Sequence, residues 1–261
     1  MATRLRFYIM VLIATGMMIS GCGNPQSQDN NIQNETSSDS QIITGNVTFP
    51  SASNLEPEWQ EDFDLAGCTL SSEGRNDFFI LEPGFQLVLE GGNEKLAITV
   101  LDKTIEIDGT MTRVVEEREW RNDEIIEISY NFFAFCKETK DVFYFGEDVD
   151  MFSGGVLSSH SGAWRAGVND ARAGLIMPGD PVVGMKYFQE IAPGVAMDRA
   201  EVISLDKSLN TPAGEFTNVL VTKEGTALNL LEQEFKTYAS GIGLIQDQNL
   251  LLTEYGFVEL E

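Results

Sequence analysis

From residue 85 to residue 255 apolar and polar side chains alternate with a period of two, and most breaks in that alternation are turn signals. Such a pattern describes strands that bury one face, and it leaves little room for helix. Residues 85–89 run up to Gly91-Gly92, and residues 96–101 and 104–107 flank Asp102-Lys103. The next stretches, 111–120 and 125–135, are set off by Asp108-Gly109 and Asn122-Asp123, which are strong hairpin dipeptides. Residues 137–141 turn again before Val142 and the aromatic triplet Phe143, Tyr144, Phe145. After a Gly- and Pro-rich centre the alternation resumes at 184–191, 200–205, 219–224, 235–239, 243–246 and 250–255. Only residues 197–203 offer a helical window, one or two turns long. The expected fold is therefore mainly β: a large curved antiparallel sheet or a partly closed barrel, since closure or cover is how such sheets protect their edges. Residues 153–184 are too long for an ordinary connection, and part of them should pack across the sheet.

The N-terminus reads differently. Arg4 and Arg6 precede an apolar run over residues 7–19. Thirteen residues make about 20 Å of helix, too short for a hydrocarbon core of about 30 Å. A basic start, a short apolar stretch and small residues at the exit form an export signal, here residues 1–21. The exit, Ile19-Ser20-Gly21-Cys22, resembles the bacterial lipobox, which implies cleavage ahead of Cys22 and acylation of its thiol. Two or more acyl chains, at about 0.8 kcal/mol per buried methylene, would hold the protein to a bilayer. Gly23 is not the aspartate that retains such proteins in the inner membrane. The expected address is the cell envelope, on the outer membrane facing the periplasm where one exists. Residues 22–53, rich in Asn, Gln, Ser and Thr, form an expected disordered tether of about 30 Å. Residues 54–261 remain as a single domain.

The formal net charge is −24, and removal of Arg4 and Arg6 takes it to about −26. That charge excludes nucleic acid and anionic membrane surfaces as partners. Solubility explains it adequately, and a cationic or divalent ligand is the other reading.

Several stretches of the domain resemble an uncharacterised family of bacterial secreted proteins and lipoproteins. They include Thr112-Arg-Val-Val-Glu-Glu-Arg-Glu, Tyr144-Phe-Gly-Glu-Asp-Val-Asp and Pro193-Gly-Val-Ala-Met-Asp. The later strands, from a Pro-Ala-Gly hairpin at 212–214 onward, are similar to curved-sheet envelope proteins of the lipoprotein-carrier type. The resemblance implies a shape and no activity.

Candidate chemistry is sparse. His160 is the only histidine and sits among serines without a Gly-x-Ser-x-Gly elbow, so it reads as a solvated loop residue. Cys68 and Cys136 either form a disulfide, as expected outside the cytoplasm, or leave Cys136 as a buried thiol. Glu147, Asp148 and Asp150 follow an aromatic strand. They read as a polar turn, as oxygen ligands for a hard cation such as calcium, or as part of a carboxylate pair with Glu190 or Asp198. The aromatic residues of this region read mainly as core. In an incompletely filled sheet, Tyr144, Phe145 and Trp164 would instead line an apolar cavity. Two functions follow from different classes. One is a non-enzymatic envelope protein that binds an apolar ligand or another envelope component; the other is a carboxylate-dependent hydrolase.

Overall fold

The type I′ geometry of the turns sets the hairpins. Asp108 and Gly109 take φ of 47° and 74°, and Asn122 and Asp123 take 52° and 63°. Two successive left-handed residues twist the turn in the sense that matches the flanking strands. A computed structural model describes residues 58–260, so the export signal, Cys22 and the tether lie outside the described residues.

Strands β1 (Leu70–Ser71), β2 (Gly74–Arg75) and β3 (Ile80–Leu81) come first. A meander follows: β4 (Phe85–Gly91), β5 (Glu94–Ile107), β6 (Thr110–Arg121), β7 (Glu124–Cys136) and β8 (Val142–Ser153). The Gly-rich centre carries β9 (Val156–Ser159), β10 (Trp164–Arg165) and β11 (Arg172–Met177), and beyond it lie β12 (Lys186–Phe188) and β13 (Glu190–Ile191). A second meander completes the chain: β14 (Asp198–Thr211), β15 (Gly214–Thr226), β16 (Asn229–Ala239), β17 (Gly243–Asp247) and β18 (Leu250–Phe257). Among the described residues the helical content is one 3-10 turn, Leu65–Gly67. Of residues 197–203, all from Asp198 onward lie in β14, where Ala200 and Val202 are buried.

All of these strands except β2 and β3 belong to one antiparallel sheet that is nearly closed into a barrel. Within it β18 pairs with β4, joining the two meanders. The opposite seam is made by one short segment. Tyr187 in β12 pairs with Ala200 of β14, while Glu190 in β13 pairs with Ala173 of β11. Only Gln189 separates those two strands, and its N–H donates to the Asp198 carbonyl at 2.7 Å. The two edges of the sheet therefore meet in consecutive residues.

Two details differ from the sequence expectation. Asp102-Lys103 does not separate two strands. It is an irregularity within β5, where the register to β6 shifts between Val100 and Thr104. Buried Arg113 holds that kink, donating to the Leu101 carbonyl and the Asp102 carboxylate at 3.3 Å each and to the Ser72 carbonyl at 3.0 Å. The central segment is not a loop laid over the sheet either. Its strands β11, β10 and β9 pair with successive stretches of β8, from Val142 to Ser153, which satisfies backbone groups that a bare edge would leave open.

The N-terminal part of the domain straps the outside. Gln60 exchanges backbone hydrogen bonds with Lys186 and Phe188 at 2.9 Å each, and Phe63 meets Phe143 edge-on at 5.9 Å. A disulfide joins Cys68 to Cys136, 68 residues apart in sequence. It ties the strap to the end of β7. Closing a loop of that length removes unfolded-state entropy worth about 4 kcal/mol. Cys68→Ala with Cys136→Ala should lower the unfolding free energy by about that amount in urea titrations. An unchanged midpoint would show that the strap is held by its other contacts alone.

Candidate functional site

Inside the barrel the strands enclose a cavity of about 120 Å³ that opens to solvent at a mouth. Its two ends differ. One is closed by the β2–β3 hairpin, which places Phe78, Phe79 and Ile80 in the cavity wall. Asn76 fastens that hairpin: its amide donates to the Lys140 carbonyl at 2.9 Å and its oxygen accepts from the Phe78 N–H at 2.9 Å. The Gly241 N–H donates to the Asp77 carbonyl at 2.7 Å. With Phe85, Leu87, Leu96, Ile98 and Val100 the hairpin makes an apolar wall.

The remaining wall is acidic. Among the described residues, seven carboxylates (Glu117, Glu119, Glu127, Glu147, Glu190, Glu224 and Asp247) and a single ammonium, Lys236, line the cavity. Period-two geometry explains how they gather. Inward positions of β6 read Val115, Glu117, Glu119, and those of β7 read Glu127, Ser129, Asn131, Phe133. Glu119 and Glu127 lie directly opposite each other across the ladder.

Strand β8 reaches the same wall only because it is bulged. Asn131 pairs with Glu147, but Phe133 pairs with Tyr144, so Phe145 and Gly146 together oppose Phe132. Without the extra residue, Tyr144 and Glu147 would fall on opposite faces. With it both line the cavity, and Phe145 does not. Gly146 makes the bulge possible through φ of 137°, and Trp164 and Arg165 of β10 press directly on it.

Hydrogen bonding sorts these polar groups into two kinds. Tyr144 donates to Asn131 Oδ1, and Asn131 Nδ2 donates to Ser129 Oγ at 3.1 Å. Glu224 accepts from Thr222 Oγ1 at 2.7 Å and Tyr238 Oη at 3.2 Å, and lies 3.1 Å from Lys236 Nζ. Glu190, 1% exposed, has no hydrogen-bond partner for either carboxyl oxygen, and Glu147, 2% exposed, has none for Oε1.

Burial, with Asp198 and Glu147 nearby, pushes the Glu190 carboxyl well above the usual range. Lys236 and the Trp164 indole oppose that in part. Burial with Glu127 and Glu117 raises Glu147 in the same way. In both, burial favours the neutral, protonated carboxyl over the carboxylate. For Lys236 burial opposes the charge, yet Glu224, Glu234 and Asp247 outweigh it and hold its pKa well above normal.

The residues singled out in the sequence separate. Tyr144 lines the cavity, packed between a tilted Phe133 ring at 4.7 Å and Trp164 edge-on at 5.4 Å. Trp164 supports Tyr144 from behind and faces a separate surface hollow shared with Arg165 and Asp148. Glu147 points inward, away from Asp148 and Asp150. Asp148 binds Arg165 Nη2 at 2.6 Å, and Asp150 lies 2.8 Å from His160 Nδ1. Ser158 donates to the Met151 carbonyl rather than to His160. Among the described residues the one trio of ligating side chains with donor atoms within 4.8 Å of one another is Cys68, Cys136 and Glu138, and its sulfurs are spent in the disulfide.

Sequence reasoning does not find the acidic inner stripe. Its signal is Glu127-x-Ser129-x-Asn131-x-Phe133, a polar face turning aromatic along one strand. Comparison with known protein families, curated proteins and solved structures finds no match to this chain.

Proposed function

We propose that the protein is a non-enzymatic binder of the bacterial cell envelope, whose barrel holds a small molecule with an apolar body. The observation that carries this reading is the cavity, half walled by Phe78, Phe79, Phe85, Leu87 and Leu96 and open at a mouth through which a longer molecule can extend. The lipobox at Cys22 supports attachment to a membrane, with the domain held off the bilayer by residues 22–53.

A carboxylate-dependent hydrolase would draw on Glu147 and Glu190. An acid–base pair needs environments that drive the two pKa values apart. Here burial and like charges raise both, which favours binding over catalysis.

The domain should take up the neutral dye N-phenyl-1-naphthylamine with saturable fluorescence enhancement and a negative heat-capacity change. Ile98→Trp, which fills the apolar wall, should weaken uptake at least about tenfold, equivalent to about 1.4 kcal/mol. A well-folded domain that shows no saturable uptake, or an Ile98→Trp variant that binds as before, would refute occupation of this cavity.

A further inference from the structure

We propose that the natural occupant is a primary amine on an apolar body, its ammonium seated between Glu147 and Glu190. This deepens the cavity-binding reading and rests on it.

The cavity is short of cations and of donors at one place. Glu224 is satisfied by Thr222, Tyr238 and Lys236, and Asn131 by Tyr144 and Ser129. Both oxygens of Glu190 and Oε1 of Glu147 have no such partner, on side chains 1% and 2% exposed. A buried acceptor left without a donor is destabilising, so a ligand that supplies the donor gains by it. A primary ammonium carries three N–H donors and one positive charge, which suits these carboxyl oxygens and the acidic wall around them. A quaternary ammonium supplies the charge and no donor, and a hydroxyl supplies one donor and no charge. A hard divalent ion needs six or more oxygens around one point. The carboxylates here do not converge in that way among the described residues. The apolar wall then takes the rest of the molecule.

Docking has a proton balance. Burial favours the protonated form of Glu147 and Glu190. An ammonium arriving beside them favours the carboxylate, so a proton leaves to solvent as the ion pair forms. The groups facing Glu147 are Glu127, Glu117, Asp198 and Tyr144. Those facing Glu190 are Asp198, Glu147, Lys236 and Trp164. Acids predominate on both sides, so affinity for the amine should rise with pH while the amine itself stays charged.

The test is displacement of N-phenyl-1-naphthylamine from the whole domain by decylamine, decanol and decyltrimethylammonium, each below its micellar concentration. Decylamine should bind at least about tenfold tighter than decanol, the expectation for one charge-assisted hydrogen bond. The trimethylammonium compound should fall between them. The advantage of decylamine should grow from about pH 6 to about pH 8.5, and calorimetry in buffers of different ionisation heat should register proton release. In Glu147→Gln with Glu190→Gln, decylamine and decanol should converge to within about threefold, less than about 0.7 kcal/mol. The single Glu190→Gln variant serves if the double variant does not fold. Equal binding of decylamine and decanol by the wild type would overturn the amine assignment while leaving the cavity reading intact. So would a retained preference in the variants. Failure of the dye itself to bind would overturn the cavity reading.

Discussion

Gly146→Ala will destabilise the domain by on the order of 3 kcal/mol, the upper range for backbone strain, with steric conflict added. At φ of 137° any side chain is disfavoured, and here there is no room for one. A Cβ would run into the Trp164 carbonyl oxygen and lie 3.0 Å from the Arg165 Cα. Those are backbone atoms of the neighbouring strand and cannot swing aside as a side-chain tip would. Relief requires β10 to part from β8 or the bulge to be lost. Losing the bulge turns Glu147 out of the cavity, so dye and amine binding should fall together with stability. Gly109→Ala is the comparison. It also sits at positive φ, 74°, but nothing lies within 4 Å of its Cβ position, so its cost should stay near about 1 kcal/mol. Urea titration of both variants decides the matter. Equal losses would mean that conformational strain alone, not the approach of β10, is what the glycine relieves.

Glu147→Gln with Glu190→Gln will have a second large effect, on the domain without ligand: its stability will fall less than that of the wild type as pH rises above the ordinary carboxyl range. The sign follows from proton counts. Each acid has a raised pKa when folded against an ordinary 4.5. Between those values the folded state holds a proton that the unfolded chain releases. The stability this confers is complete below about 4.5 and is lost as pH rises through the folded value. Each step of one in pH between the unfolded and folded values corresponds to about 1.4 kcal/mol per acid. Asp198, raised to about 6 by burial, and Glu234, raised to about 7 by burial, add to the decline over the same range. Thermal unfolding of the wild type should therefore weaken from about pH 5 to about pH 8 more steeply than that of the double variant. Parallel pH profiles would show that the two acids are not titrating in the folded state.

The strands and most hairpins are legible because period-two alternation and dipeptides such as Asp108-Gly109 and Asn122-Asp123 are local signals. The cavity wall is not, for a physical reason. On β7 the apolar set is Ile126, Ile128, Tyr130 and Phe132, and the rule that apolar faces turn inward assigns it to the interior. In the folded chain Glu127, Ser129 and Asn131 face the cavity instead. A barrel interior that stays partly hollow does not demand an apolar lining, and the strap and flanking loops cover part of the outer face. Spacing alone groups Glu147 with Asp148 and Asp150. The isolated glycine in Tyr144-Phe-Gly-Glu is the available sign of a bulge, and the bulge decides which acid turns inward. The pairing of β18 with β4, like the seam at Gln189, joins residues too distant in sequence for any local pattern to reveal.

That connectivity governs the order of assembly. Residues 85–153 can zip into consecutive hairpins as soon as they are available, and so can residues 198–257. Neither meander has a partner for its terminal strand until β18 finds β4 across more than 160 residues of sequence. Closure is thus a late, non-local step, of the kind that makes β topologies slow to fold. Until β18 and β4 pair, the edge of β4 has no partner and the acid-lined face is open to water. A bare edge of that kind invites pairing with other chains. Closure of β18 on β4 is therefore the step at which newly made protein is most open to aggregation.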